Sequence, residues 1–283
     1  MAPLKDCLNE VDHMDVKTAE RTLVLDAPQN VALLQMLRQK SYEAIYTVKS
    51  AVGLRVANGE TMVSAANAED LDALITLMGP DTLKNTIYLA RYSLYPVLER
   101  RLGTLKPHCF LQYFAQRDAL TPMTCSLDIR PVTLADAPFV QAHYGHGHGA
   151  RLEYVEERIQ KGPGYLALAE NGSIAGFILT HTEGSMGMLE VLPPYRGMGI
   201  GPALEYRLAQ ELDRRGLYIY SNAVSYTHLN PAPRRQKVRR HKKTRCVHTS
   251  FSFHLVGLKK VSCSCGRDRF SHQVGNRVMT SVF

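Results

Sequence analysis

Apolar and polar positions follow two rhythms along this chain, and the change from one to the other marks out its elements. After Asn30, Leu33, Leu34 and Leu37 fall on one helical face. From Glu43 to Ala65 the pattern alternates, and Asn58-Gly59 within it is a strong hairpin signal. Asn67 then stands where a helix cap belongs. The helix it predicts carries Leu71, Leu74, Ile75 and Met78 and is stopped by Gly79-Pro80. Thr86–Ala90 predicts a strand, Leu94–Leu102 a helix and Cys109–Ala115 another strand. Residues 1–125 thus read as a small α/β unit, and no catalytic grouping stands out in it.

Gln116–Ser126 is polar, contains a proline and reads as a linker. In the second unit, 126–224, Asp128–Pro131 opens the pattern. Thr133 caps a helix carrying Leu134, Ala137, Val140 and Ala142, with Asp136 three residues on as in a capping box. Arg151–Lys161 predicts a second helix. Strands follow at Gly164–Ala169, Ile174–His181 and Met186–Leu192, with turns at Asn171-Gly172 and Glu183-Gly184. A helix containing Leu204, Leu208 and Leu212 ends at Arg214-Arg215-Gly216, and Leu217–Asn222 predicts a further strand. The order is β-α-α-β-β-β-α-β.

The stretch between that third strand and the last helix carries the chemistry. Pro193-Pro194 breaks the strand, and the loop Arg196-Gly197-Met198-Gly199-Ile200-Gly201 leads into a helix with Pro202 in its first turn. Glycines let backbone N–H groups converge on a phosphate, the helix start adds its dipole, and Arg196 adds a fixed positive charge. A dinucleotide fingerprint would need glycine where Pro202 stands, and a Walker loop would need Gly-Lys-Ser/Thr. Arg196, Gly199 and Gly201 instead fill the Arg/Gln-x-x-Gly-x-Gly/Ala pattern of the GNAT acyltransferases, and the flanking strand and helix agree with it. Residues 128–222 resemble that family. More weakly, 1–222 resembles its bacterial members with a degenerate GNAT-like N-terminal half, in a layout like that of glycine N-acyltransferases.

The resemblance implies a GNAT acyl-CoA acyltransferase fold, α/β (α+β), with a mixed and mostly antiparallel sheet flanked by helices. It implies N-acyl transfer from acetyl-CoA or another short acyl-CoA directly to a small amine. The donor's pyrophosphate would meet the N–H groups of Gly197, Met198, Gly199, Ile200 and Gly201 beside Arg196. Its pantetheine arm would run beside Glu190, Val191 and Leu192, with the Val191 N–H facing the thioester oxygen. Glu190 would be the base for the amine. The alternative for Glu190 is a carboxylate that faces solvent or pairs with an arginine. The general acid of the family comes from a tyrosine on a helix that does not follow here, and Tyr226 is not a substitute for it.

After Val224 the pattern changes. Val224-Ser225-Tyr226-Thr227-His228-Leu229 resembles one reading frame of a transposon end, which implies a foreign, artefactual or disordered tail over 225–283 and a fold truncated after its fifth strand. Strand 217–222 would then be left as a sheet edge. The charge sits in the same place. Residues 231–283 hold 13 Lys and Arg against one acidic residue, whereas the other 230 hold 21 basic and 25 acidic, so the overall +8 describes the tail alone. A nucleic-acid arm is therefore confined to that tail. Cys246, His248, Cys263, Cys265 and His272 lack finger spacing, and no metal is expected. Tyr144-Gly145-His146-Gly147-His148-Gly149, after His143, reads as a solvated or acceptor-contacting loop rather than a metal site. The six cysteines show no disulfide spacing, no apolar run reaches the roughly 18 residues of a membrane span, and the start is too acidic for a leader. A cytoplasmic protein is the expectation. Two further functions stay open: a catalytically impaired CoA-binding module and a basic-tail nucleic-acid binder.

Overall fold

The computed structural model describes residues 16–57, 59–105, 107–145, 150–224 and 278–282. The first half begins with helix α1 (16–24), which the apolar pattern did not announce. It continues with α2 (Ala27–Gln39), β1 (Ala44–Val48), β2 (Ala51–Arg55), β3 (Thr61–Ser64), α3 (Ala68–Met78), β4 (Ile87–Leu89), α4 (Tyr95–Leu102) and β5 (Pro107–Ala115). Asn67 caps α3 as expected: its side chain accepts from the Asp70 N–H at 2.9 Å. Leu71, Leu74, Ile75 and Met78 are the buried stripe of that helix. The alternating stretch makes three strands rather than one hairpin, because the chain also turns at Lys49-Ser50.

The second half follows the predicted order: β6 (Asp128–Pro131), α5 (Ala137–His143), α6 (Leu152–Lys161), β7 (Gly164–Leu168), β8 (Ile174–Thr180), β9 (Met186–Val191), α7 (Ile200–Arg214) and β10 (Ile219–Val224). The capping box forms with both of its bonds. Arg130 grips Asp136 with two hydrogen bonds of 2.8 Å, and that grip holds the Asp136 carboxyl down at about 2. Helix α7 covers one sheet face through Ile200, Leu204, Leu208 and Leu212. Val140 of α5 and Val155 of α6 pack on the other face with Phe177, Leu179 and Met188.

One sheet runs through both halves in the order β1-β2-β3-β4-β11-β5-β10-β9-β8-β7-β6, where β11 is Val278–Val282. The halves repeat a topology. In each, a three-stranded meander is followed by a helix and a strand parallel to the last of the three: β3 with β4, and β9 with β10. The closing strands are exchanged between halves. β5 of the first half pairs with β10 of the second, and β11 pairs with β4 of the first.

Two expectations are corrected here. The strand after α7 is not a sheet edge, because β5 pairs with it from Ile219↔Ala115 to Val224↔Phe110. Nor is the whole C-terminal stretch without structure. Val278–Val282 is a strand between β4 and β5. Residues 225–277 and Phe283, with the cysteines and histidines of the tail and the basic arm, lie outside the described residues.

Polar side chains fasten the two halves. Gln35 of α2 accepts from the Tyr218 N–H at 2.8 Å, and Arg38 stacks on the Tyr218 ring and donates to the Gly216 carbonyl. Within the first half, Gln112 of β5 donates to the Pro28 carbonyl at 2.6 Å.

Candidate functional site

The site grows out of a fault in β9. Its pairing with β8 passes from Leu179↔Gly187 to Phe177↔Glu190, so β9 holds one residue more than its partner there. That extra residue is a β-bulge, and Met188 sits in it at φ 47. Leu189 and Val191 pack on the α7 face, whereas Met188 packs on the α5–α6 face. Alternation places Glu190 on the latter face as well.

On its other side β9 meets β10 at a single pair, Ser221↔Met186. Beyond it β10 continues along β5 and, among the described residues, no further pair joins it to β9, which leaves a gap between the two. The Leu192 N–H bonds to the Ala175 carbonyl, so the Val191 N–H, one residue earlier, points away from β8 and into the gap. An extended chain entering there finds free strand backbone to pair with.

The glycine loop lies where the gap meets α7. Gly197 and Gly199 take φ 79 and 75, and among the described residues a Cβ at either would meet nothing within 4 Å. Gly199 is the helix cap, and Ile200 and Gly201 follow as the first helical residues. Among the described residues, no protein acceptor is bonded to the N–H groups of Gly197, Met198, Gly199, Ile200 and Gly201. Five such groups at the start of a fifteen-residue helix suit an anion.

Arg196 does not extend from this loop. Its Nε donates to the Val191 carbonyl at 2.9 Å, and its Nη2 lies 3.0 Å from Glu190 Oε1. The structure therefore brings together Glu190, Val191 and Arg196, with Leu192 leading into the loop, but it pairs the expected base with the expected phosphate ligand. Of the histidine-rich loop, 146–149 lies outside the described residues; His143 stacks on Phe139 with ring centres 4.0 Å apart.

Residues 132–232 match the model of the acetyltransferase (GNAT) family. A solved Drosophila protein superimposes with a TM-score of 0.57 at 15% identity, covering 76% of this chain and 88% of its own. At that identity the likeness is one of fold. A GCN5-related N-acetyltransferase from Kribbella flavida aligns at 14% identity and TM-score 0.46, over 70% of this chain and 85% of its own. A GCN5-related N-acetyltransferase-like protein from Streptococcus suis aligns at 16% and 0.43, over 77% and 92%. None of the curated proteins matches the chain. Among the described residues, no helix is long and apolar enough to cross a membrane, and no group of three His, Cys, Asp or Glu is placed to hold a metal ion.

Sequence reasoning did not reach three features of this region. The Met188 bulge is a backbone conformation with no residue signature. His181 was read only as the end of a strand, and Tyr154 only as part of a helix. A weak signal was available for the last two: a histidine and a tyrosine on elements that both border the predicted loop strand.

Proposed function

We propose that the protein transfers an acetyl or other short acyl group from acyl-CoA to a primary amine by direct attack of the amine on the thioester. The observation that carries this reading is the gap between β9 and β10, which opens beside five free N–H groups at the start of α7. The loop groups of Gly197, Met198, Gly199, Ile200 and Gly201 would take the pyrophosphate. The Val191 N–H and carbonyl would pair with the pantetheine arm. An N–H on the gap side of β9, at Val191 or at Leu189 next to the bulge, would face the thioester oxygen as negative charge develops on it.

Arg196 has to leave Val191 and Glu190 for this to happen. Turning to the phosphates frees the Val191 carbonyl for the arm and moves positive charge to where two phosphate charges arrive. Glu190, the carboxylate expected to act as base, is committed to Arg196 until then. Much of the rate gain in such a reaction comes from holding amine and thioester together, which the walls of the gap are suited to do.

The test is a thermal shift of the full chain and of Arg196→Ala with acetyl-CoA, followed by thiol release in the presence of amines. A shift in the first that is lost in the second, together with turnover, supports acyl transfer. A shift without turnover would leave a CoA-binding module. No shift would sink the reading.

A further inference from the structure

At the base of the gap a second set of polar side chains comes together, none of it part of the loop. Gly187 follows the Met186–Ser221 pair and precedes the bulge. The place a Cβ would take on it lies 2.3 Å from Cδ2 and Nε2 of His181. The imidazole therefore fills the space over Gly187, on the α5–α6 side of the sheet and beside the point where β9 and β10 part. Its other nitrogen, Nδ1, is 3.1 Å from Oη of Tyr154, which reaches over from α6. Tyr154 also shares a hydrogen bond with Thr182. Burial and the nearby Glu183 carboxylate push the Tyr154 phenol up to about 12, so it keeps its proton at any working pH. With Nδ1–H given to the phenol oxygen, one of the two tautomers this contact allows, the lone pair of Nε2 is left over Gly187.

We propose that His181 is the base that takes the proton of the acceptor amine, with Tyr154 as the residue that positions its ring. The inference rests on the acyl-transfer reading above. Glu190 is engaged by Arg196 at 3.0 Å in the free protein, and the substitutions below separate the two candidates. In the step, the amine nitrogen bonds to the acyl carbon and its proton passes to Nε2. The carbon–sulfur bond breaks with its electron pair on sulfur. The imidazolium then returns the proton to the thiolate, leaving an amide and a free thiol.

The charged and titrating groups that act on Tyr154, the partner of the imidazole, are Arg158 from α6, Glu183 from the β8–β9 turn and Tyr144 after α5. Glu183 is fixed in place by hydrogen bonds from Ser185 at 2.6 Å and Asn222 at 3.3 Å.

Two measurements on the full chain test the assignment. Nitrogen NMR, with the His181 signals identified by their loss in His181→Gln, should find the proton on Nδ1 and none on Nε2 in the free protein. Thiol release from acetyl-CoA, with glycine and spermidine as acceptor amines, gives the pH profile. His181→Gln should lower kcat about 100-fold or more and abolish the acid limb that an imidazole base produces, while the acetyl-CoA thermal shift stays at its starting value. Tyr154→Phe should keep that limb, lower kcat about tenfold and move the proton to Nε2. A proton on Nε2 in the unaltered protein would overturn the proposal. So would an acid limb that survives His181→Gln and disappears in Glu190→Gln. Failure of the acyl-transfer reading looks different: the unaltered protein then shows neither a shift nor thiol release, and the base role falls with it.

Discussion

Arg196 folds back onto Glu190, Nη2 to Oε1 at 3.0 Å, and so covers the Val191 carbonyl that borders the open gap. Arg196 remains 61% exposed in this pair. An ion pair so open to water is worth at most about 1 kcal/mol. Releasing it should therefore raise acetyl-CoA affinity by no more than about fivefold. Calorimetric titration of Glu190→Gln should give that modest gain, whereas Arg196→Ala should bind at least tenfold more weakly. A tenfold loss in Glu190→Gln would mean that Glu190 itself helps to hold the donor.

The loop glycines divide by backbone. Gly197 and Gly199 lie in the left-handed region, where a Cβ is strained even with space around it. Each Ala substitution should cost about 1 kcal/mol and turn N–H groups away from the anion. Gly201 is helical, and its Cβ would make only an ordinary 3.7 Å contact with Val191. Gly201→Ala should be as stable as the parent or more so by up to about 1 kcal/mol. Denaturant midpoints for the three variants check this, and a destabilised Gly201→Ala would contradict it.

Glu205 lies on α7 with 5% exposure, and among the described residues its Oε2 has no hydrogen-bond partner. Burial pushes its carboxyl up to about 7 from the usual 4.5. The folded protein then holds a proton that the unfolded chain releases, so stability falls as pH rises between those two values. By linkage the loss totals roughly 3 kcal/mol above the upper one. Glu205→Gln should raise the melting temperature at pH 8 and change it little near pH 4.5. An equal effect at both would point to packing instead.

Asp136 behaves in the opposite sense. Its carboxyl is held at about 2 against the usual 3.8, chiefly by Arg130 and then by Thr133. The stabilisation, about 2 kcal/mol, is complete above the ordinary value and is lost as the pH falls through the lower one. Asp136→Asn should be destabilised by at least that amount at neutral pH and should flatten the acid limb of the stability curve. An unchanged acid limb would assign it to other carboxylates.

What could be read in advance was chemistry carried by residue type. Thr133 with Asp136 and Asn67 before α3 each need particular side chains at fixed spacings and stand where expected, whereas Arg196 turns away from the loop of Gly199 and Gly201 onto Glu190. What escaped reading was set by partners distant in sequence. Lys49 turns the chain at φ 50 and Met188 bulges at φ 47, conformations that composition assigns to glycine or asparagine. Neighbouring strands impose them. The pairing of β10 with β5 joins residues more than 100 apart, so no local pattern could announce it. His181 acquires its tyrosine only when α6 folds across the sheet.

The same distant pairing has a consequence for dissection. The segment between the halves is exposed at Thr121, Pro122 and Thr124, while β5 remains hydrogen-bonded into the second half along six residues of β10. A protease that nicked the chain there would not release two domains. Its products would separate only under denaturing conditions and would otherwise travel as one particle. The covalent linker between the halves is thus dispensable for their association, and a shared strand ladder is not.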